Sequence, residues 1–211
     1  MFQHTYRLLL SQNKGNRMKT LSVALIALFM TAVTYAQVTW SFDNSHSKVG
    51  FTVDHLVISE VDGHFRSYEG TISSTKDNDF SNAQINFTIK ANSINTENED
   101  RDKHLRSADF FDVEKYPNIS FVSKSMTKQQ GNKYKVTGDF TMKGVTKSIT
   151  FDAVMSGPVK DPWGNTKIAF KLKGELNRFD YGLQWSKATE AGGLVVGKEV
   201  RFDIDVQLKK N

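Results

Sequence analysis

Residues 132–158 read NKYKVTGDFTMKGVTKSITFDAVMSGP and contain the most regular alternation of apolar and polar side chains in the chain. The first half places on one face Tyr134, Val136, Gly138, Phe140 and Met142. After a turn at Lys143-Gly144, the second half continues the apolar face with Ile149, Phe151, Ala153 and Met155. Because a β-strand directs successive side chains to opposite faces, the segment predicts an antiparallel hairpin with one apolar and one solvated face. A lone hairpin is marginally stable in water, so other strands must cover the apolar face.

Composition limits the function classes that this chain can belong to. Its 211 residues suit one all-β domain, and the absence of cysteine excludes disulfides, zinc–thiolate sites and thiol catalysis. The net charge of +5 arises almost entirely from residues 1–36, which carry four basic side chains and no acidic one. The remaining charges alternate in sign, as on a solvated surface, and no basic cluster with interleaved aromatic residues indicates nucleic-acid binding.

Residues 1–36 have the pattern of an export signal. Arg17 and Lys19 precede the short apolar run 21–30, and the segment ends in Thr34-Tyr35-Ala36. This pattern predicts cleavage near Ala36 and a periplasmic or secreted domain spanning residues 37–211. An uncleaved membrane anchor is the alternative, although the apolar run is short for a membrane span and no other stretch approaches one. Met18 also suits a true start, which would make residues 1–17 an extension.

Six further segments alternate in the same way as the hairpin. They are residues 49–55, 63–73, 83–91, 119–123, 168–176 and 200–208. In the second of these, Phe65, Tyr68 and Ile72 do not keep one parity, which predicts a bulge or strong coiling. The hairpin brings the total to eight strands joined mostly by short turns. Eight such strands predict an antiparallel up-and-down barrel, although two stacked sheets would give a similar pattern.

One short helix is predicted between the third and fourth strands, over residues 96–107. Thr96 and Glu99 have the spacing of a capping box. Three acid–base pairs at i,i+4 spacing then favour a helix: Glu97/Arg101, Glu99/Lys103 and Asp102/Arg106. Pro117 prevents its continuation.

Three histidines and one serine are candidates for a metal site or a catalytic site. His46, His55 and His64 lie nine residues apart, but no acidic residue completes a ligand motif, so we predict no metal and no other cofactor. We expect histidines in the core or at the rim that are bonded to backbone. Asp43, His46 and Ser47 have the residue types of a hydrolytic triad, yet neighbours in sequence rarely reach triad geometry, and no catalytic residue is assigned.

Arg178 and Asp180 have two interpretations. They could form an internal ion pair that braces the last loop, or they could bind the head group of a ligand.

The apolar rows of the strands predict a lining for the barrel interior. Its predicted members are Phe51, Val53, Phe87, Ile89, Phe121, Tyr134, Phe140, Phe151, Met155, Phe170, Leu172 and Phe202. Residues predicted at the rim or near a ligand head group are His55, Phe110, Arg178 and Asp180. An eight-stranded barrel is just wide enough to fill with side chains or to hold one small ligand. The small residues in these rows, such as Gly138, Ala153 and Gly174, favour leaving space for a ligand.

Several motifs in this sequence resemble those of the YceI-like (polyisoprenoid-binding) proteins, over residues 40–210. The most specific are Phe110-Phe111-Asp112-Val113 and Gly144-Val145-Thr146-Lys147. The others are Asp43-x-x-His46-Ser47, Phe51-x-Val53-x-His55, Gly63-x-Phe65, His104-Leu105-x-Ser107-x-Asp109, Tyr116-Pro117, Phe121, Gly138-x-Phe140-x-Met142 and Arg178-Phe179-Asp180-Tyr181-Gly182. The resemblance implies a lipocalin-like barrel that binds an isoprenoid, such as a polyprenyl phosphate or a quinone tail, and a possible homodimer.

The sequence is therefore compatible with three functions. The leading hypothesis is an exported carrier, store or sequestering protein for an isoprenoid or similar lipid. The second is an enzyme acting on such a lipid through His46, His55 or Arg178. The third is a structural or stress-protective barrel with a filled core.

Overall fold

The structure, a computed structural model, describes residues 37–187 and 194–211, and residues 37–211 belong to one compact unit. The predicted leader, residues 1–36, lies outside the described residues. The strands are β1 Val38–Phe42, β2 Lys48–His55, β3 Ser59–Phe65, β4 Tyr68–Ser74, β5 Gln84–Lys90, β6 Ile94–Asn95, β7 Asn118–Lys128, β8 Lys133–Met142, β9 Val145–Lys160, β10 Thr166–Asn177 and β11 Val196–Lys210. One α-helix, α1 Glu99–Arg106, and three 3-10 helices, Asn44–His46, Ala91–Ser93 and Arg178–Tyr181, complete the described elements.

The strands form a closed antiparallel barrel, which decides against two stacked sheets. Their order is β1-β4-β5-β7-β8-β9-β10-β11, and β11 pairs back to β1 through Trp40 opposite Lys210. The predicted hairpin is the β8–β9 pair, with Val136 opposite Phe151 and a turn at Lys143-Gly144. The predicted eight-stranded barrel is therefore confirmed.

The barrel has eight strand positions around its circumference, called staves, and three of them are each occupied by two shorter strands. The described chain therefore has more strands than staves. β1 and β2 both run along β11, and the 3-10 helix Asn44–His46 lies between them. The stave next to it consists of β3 and β4, separated at residues 66–67. This break accounts for the parity change between Phe65 and Tyr68, both of which are buried. β5 and β6 form the third broken stave.

One end of the barrel is closed by aromatic rings. Trp40 and Phe80 are fully buried, with ring centroids 5.5 Å apart, and Phe80 meets Phe170 edge-on at 5.1 Å. The Trp40 indole nitrogen donates to the Ser74 hydroxyl at 3.0 Å, which satisfies its only polar atom. The opposite end, where β2 ends and β11 begins, carries α1 and the segment after β10.

Helix α1 forms near the predicted position but not with the predicted contacts. Its N-cap is Asn98, whose side chain accepts from the Arg101 backbone N–H at 2.9 Å, so the Thr96/Glu99 capping box was wrong. Thr96 instead donates through its backbone N–H and its hydroxyl to the buried carboxylate of Asp102, at 2.9 and 2.6 Å. The two arginines of the predicted pairs Glu97/Arg101 and Asp102/Arg106 instead donate to main-chain carbonyls near the helix.

Candidate functional site

The barrel interior contains two apolar cavities in a row. The inner cavity, of about 80 Å³, lies toward the closed end and is lined by Phe42, Val49, Ile72, Phe80, Ile85, Phe87, Ile89, Ser120, Phe121, Met126, Val136, Phe140, Phe151, Phe170, Leu172, Phe202, Ile204 and Val206. The middle cavity, also of about 80 Å³, is lined by Phe51, Val53, Phe65, Ile89, Ile94, Leu105, Phe110, Phe111, Ile119, Phe140, Met142, Leu176, Arg178, Leu183, Val196, Val200 and Phe202. Ile89, Phe140 and Phe202 line both, so these three side chains lie where the two cavities adjoin and are called the partition.

A third, wider cavity of about 340 Å³ lies at the helix-bearing end of the barrel and is called the outer cavity. It shares lining with the middle cavity through Phe51, Val53, Leu105, Phe110 and Val196. Its other lining residues are mostly polar or aromatic: Asp54, His55, Val61, Thr96, Asp100, Arg101, His104, Trp185 and Val195. Polar surface therefore appears only in the outer cavity, at the helix-bearing end of the barrel.

An aromatic cluster stands between the middle and outer cavities. The rings of Phe110 and Trp185 have centroids 5.4 Å apart, and His104 meets both edge-on at about 5 Å. The His104 Nε2 lies 2.9 Å from a carboxylate oxygen of Asp109, which orients the imidazole. The Phe110-Phe111 pair therefore lies at the passage between the two cavities, and Phe111 packs edge-on against Phe65 at 6.0 Å.

Most of the predicted lining residues line a cavity. Those that do are Phe51, Val53, Phe87, Ile89, Phe121, Phe140, Phe151, Phe170, Leu172 and Phe202. Tyr134 and Met155 do not, because they are buried in the packing near the closed end, where the Phe80 backbone N–H donates to the Tyr134 hydroxyl at 3.5 Å. Whether the cavity-lining residues bind a ligand stays a prediction.

The four predicted rim residues separate into two groups. His55 and Phe110 line the outer cavity, as expected of rim residues. Asp180 is exposed and pairs with Lys147 at 3.1 Å, so the predicted Arg178–Asp180 ion pair was wrong.

Arg178 is 2 % exposed and its guanidinium bonds to main-chain oxygens. It donates to the carbonyls of Gly197, Leu183, Trp185 and Val196. Burial lowers the pKa of this guanidinium, which remains protonated because arginine does not titrate in proteins. Arg178 therefore braces the last loop, as predicted, through carbonyls rather than through Asp180.

The inward glycines do not open space in the way that the sequence predicted. A β-carbon on Gly138 would overlap the Phe121 ring and the Val122 carbonyl, and one on Gly174 would lie 2.7 Å from a Phe151 ring carbon. Each glycine is thus covered by a phenylalanine ring of the neighbouring strand. The glycines therefore let these rings lie against the barrel wall and do not themselves contribute open space.

The residues considered for catalysis and metal binding do not assemble such a site. The His46 Nδ1 lies 3.1 Å from both Asp43 and Ser45, so its bonds go to side chains, and the expected backbone partner was wrong. The Ser47 hydroxyl donates to the Asp43 main-chain carbonyl at 2.7 Å, so no triad forms. Within residues 37–187 and 194–211, no group of three His, Asp or Glu side chains is arranged to hold a metal ion.

The predicted lining left out several strand residues, such as Phe42, Ile72 and Met126, and the residues that lie outside regular strands. Phe80 lies in the loop before β5, Leu105 on α1, and Leu183 and Trp185 in the segment after β10. Period-two alternation gives no signal for such positions. The only available signal was the presence of large apolar residues in otherwise polar connecting segments.

Comparisons with known proteins agree with this architecture. The model of the YceI-like domain matches residues 40–208. A UPF0312 protein of Staphylococcus aureus (strain MSSA476) is 37 % identical over 169 residues, which are 80 % of this chain and 95 % of that protein.

Two solved structures illustrate the similarity of fold. The YceI protein of Campylobacter jejuni aligns with a TM-score of 0.65 and 35 % identity, covering 75 % of this chain and 90 % of that one. A polyisoprenoid binding domain from Saccharophagus degradans aligns with a TM-score of 0.61 at 17 % identity, covering 82 % of this chain and 98 % of that one. The match of the family model across nearly the whole barrel shows that this chain belongs to the YceI-like family.

Proposed function

We propose that this chain is an exported protein that binds an isoprenoid or a similar long apolar lipid inside its barrel. The observation that carries the proposal is the row of three cavities, in which the inner and middle cavities are apolar and polar side chains join a mostly apolar lining only in the outer one. Such a gradient suits an apolar chain with a polar head group. The Saccharophagus degradans domain of similar fold, described as polyisoprenoid binding, supports this ligand class.

Cavity size determines how a long chain would enter. Each apolar cavity, at about 80 Å³, is smaller than the engineered cavity of about 150 Å³ that accepts benzene. A long chain therefore requires the partition of Ile89, Phe140 and Phe202 to move aside. The Phe140 and Phe202 rings pack against each other with centroids 5.8 Å apart, so the displacement would involve both rings. The ligand and the partition would thus exchange places.

The small size of the cavities also favours the third hypothesis, a structural barrel with a filled core. Organic extraction of the purified protein followed by mass spectrometry separates the two. The proposed function expects a stoichiometric isoprenoid or other long-chain lipid. A protein that yields no lipid and binds no added polyprenol or quinone is a structural barrel.

Two single variants, one inside the barrel and one on its outer surface, test where the lipid lies. Leu172 lines the inner cavity, whereas Val154, on the neighbouring strand, is 38 % exposed. Leu172→Trp should displace the lipid, because the indole occupies lumen space, whereas Val154→Trp should leave lipid content unchanged. Equal lipid content in the two variants would place any bound lipid outside the barrel.

Export and assembly belong to the same proposal. The pattern of residues 17–36 supports cleavage near Ala36, and N-terminal sequencing of the exported protein should begin at or near Gln37. Recovery of intact residues 1–36 on soluble cytoplasmic protein would contradict export. Light scattering tests the homodimer that the family resemblance implies.

A further inference from the structure

The turn between β2 and β3 presents three consecutive apolar side chains to solvent. Leu56, Val57 and Ile58 are 39 %, 74 % and 85 % exposed, and they connect the paired residues His55 and Ser59. This segment is called the hairpin tip. Turns are usually built from polar residues and glycine, so three large apolar residues at this position are unexpected.

The backbone of the hairpin tip is as unexpected as its side chains. Leu56 and Val57 have φ angles of 53° and 64°, in the left-handed region that glycine and asparagine adopt readily and that is unfavourable for β-branched residues. The tip therefore lowers the stability of the folded protein in two ways, through exposed apolar surface and through backbone strain. Local features of this kind are typical of functional positions.

The hairpin tip lies at the rim of the outer cavity. His55, which precedes it, and Val53 both line that cavity. The Leu56 backbone N–H donates to the Val195 carbonyl at 2.9 Å, and Val195 also lines the outer cavity. An apolar molecule leaving the barrel through this cavity would reach the tip as its next apolar contact.

Two of the three acidic side chains on the stem of this hairpin share one cationic partner, whereas Asp62 accepts from the Thr52 hydroxyl. Asp54 and Glu60 both bond to the Arg201 guanidinium at 2.8 Å. The one guanidinium offsets half of the charge of these two carboxylates, which weakens but does not remove the repulsion that an anionic surface would exert on the tip.

These observations favour a lipid membrane over a protein as the occupant. A stable protein interface takes about 20–30 residues from each partner, far more than the three of this tip. A membrane, in contrast, accepts single apolar side chains at its interface, each adding to affinity independently. Resting on the isoprenoid-binding function proposed above, we propose that the hairpin tip inserts into a lipid membrane surface and places the outer cavity against it, so that the apolar ligand passes between membrane and barrel without crossing water.

Binding to vesicles of phosphatidylethanolamine and phosphatidylglycerol, without any isoprenoid, tests this proposal. The tip variant combines Val57→Asn with Ile58→Ser, and asparagine suits the left-handed backbone, so folding should be preserved. The matched control combines Val159→Ser with Trp163→Ser, two side chains 61 % and 82 % exposed near the closed end. The tip variant should bind vesicles at least about tenfold more weakly than wild type, and the control should bind like wild type. All three proteins carry the same N-terminus, so residues 1–36 do not account for a difference.

Fluorescence quenching by brominated lipids provides a second measurement. On vesicles, Ile58→Trp should add quenchable emission to that of the three native tryptophans, measured against wild type, whereas Val159→Trp should add none. Equal vesicle binding of the tip variant and wild type, or an unquenched Ile58→Trp, overturns the proposal. A tip variant that changes the oligomeric state but not vesicle binding would make the tip a protein contact and also overturns it.

The two proposals fail in different ways. The vesicles contain no isoprenoid, so tip-dependent vesicle binding by a protein that holds no lipid supports the membrane contact and refutes the binding function. A tip variant that takes up a polyprenol from detergent solution as wild type does, but takes it up from vesicles at least about tenfold more slowly, supports both.

Discussion

At the scale of single residues, Asp43 organises the kink between β1 and β2. Its carboxylate accepts from the Ser45 hydroxyl at 2.6 Å, from Lys167 at 2.9 Å and from Gln207 at 3.1 Å. These bonds tie the kink to β10 and β11. Asp43→Asn should lower the free energy of unfolding by about 2 kcal/mol, because bonds to a charged group are stronger than neutral ones. Denaturant unfolding measures this, and Asp205→Asn, in an exposed pair with Lys171, is the control and should change stability by about 0.5 kcal/mol or less.

Asp43 also has a consequence for acid stability. The hydrogen bond from Ser45, followed by that from Lys167, holds the pKa of the Asp43 carboxyl well below its usual range. The unfolded chain, with an ordinary pKa of about 4, therefore binds the proton more readily, and the stabilisation by Asp43 is lost as the pH falls below that value. Wild type should lose more stability than Asp43→Asn between neutral pH and about pH 3. Parallel curves for the two proteins would show that Asp43 is not a source of the acid sensitivity.

The hydrogen bonds of the buried Arg178 also predict an effect on stability. Lysine has three donors on one nitrogen and does not reproduce the planar fork that reaches four carbonyls. Arg178→Lys should therefore lower the free energy of unfolding by about 3 kcal/mol, since several buried carbonyls lose their donors. Thermal unfolding checks the loss, and Trp185 emission should shift because the Trp185 carbonyl is one of these acceptors. Arg201→Lys, at an exposed guanidinium, is the control; an equal loss there would contradict a special role for Arg178.

At the scale of elements, β2 and β3 show how a glycine and a phenylalanine depend on each other. Phe51 lies opposite Gly63, and a β-carbon on Gly63 would overlap the Phe51 ring. Gly63→Ala should therefore push the ring away from the wall toward the middle cavity and lower stability by about 1–3 kcal/mol. In the Phe51→Leu background the same change should be much less damaging, because the smaller side chain leaves room. Denaturant unfolding of the four proteins gives the coupling energy, and strictly additive losses would show that the ring does not depend on the glycine.

The long strands could be predicted from sequence, whereas the short strands β1 and β6 and the contacts of the connecting segments were not predicted. Alternation along residues 132–158 depends only on which face meets the core, so the β8–β9 hairpin and its turn follow directly. Around α1 the same reasoning was wrong, because helix spacing suggested surface ion pairs. In the structure Arg101 donates to the Thr96 carbonyl and Arg106 to the carbonyls of Asn92 and Ile94. Such bonds depend on where the helix docks, which local spacing does not determine.

At the scale of the whole molecule, the lining was predicted better than the space that it encloses. Ten of the twelve predicted lining residues line a cavity, because inward-facing positions of a barrel follow from parity. The division into inner, middle and outer cavities was not predictable, because it depends on ring orientations across the lumen. The Phe140 ring is an example. Its centroid lies 5.6 Å from that of Tyr181 and 5.8 Å from that of Phe202, and both partners lie on segments far away in sequence.

The partition between the inner and middle cavities leads to a prediction about the capacity of the whole barrel. Phe140→Ala removes one of the three side chains that separate the two cavities and should merge them. Stability should fall by about 3–5 kcal/mol, while the protein should accept bulkier or longer isoprenoids, because the ligand no longer has to displace the ring. Met155→Ala is the matched control, since Met155 is buried but lines neither cavity. It should lower stability without changing the chain-length profile of bound isoprenoids measured by mass spectrometry. An identical profile for wild type and both variants would mean that the partition does not limit what the barrel holds.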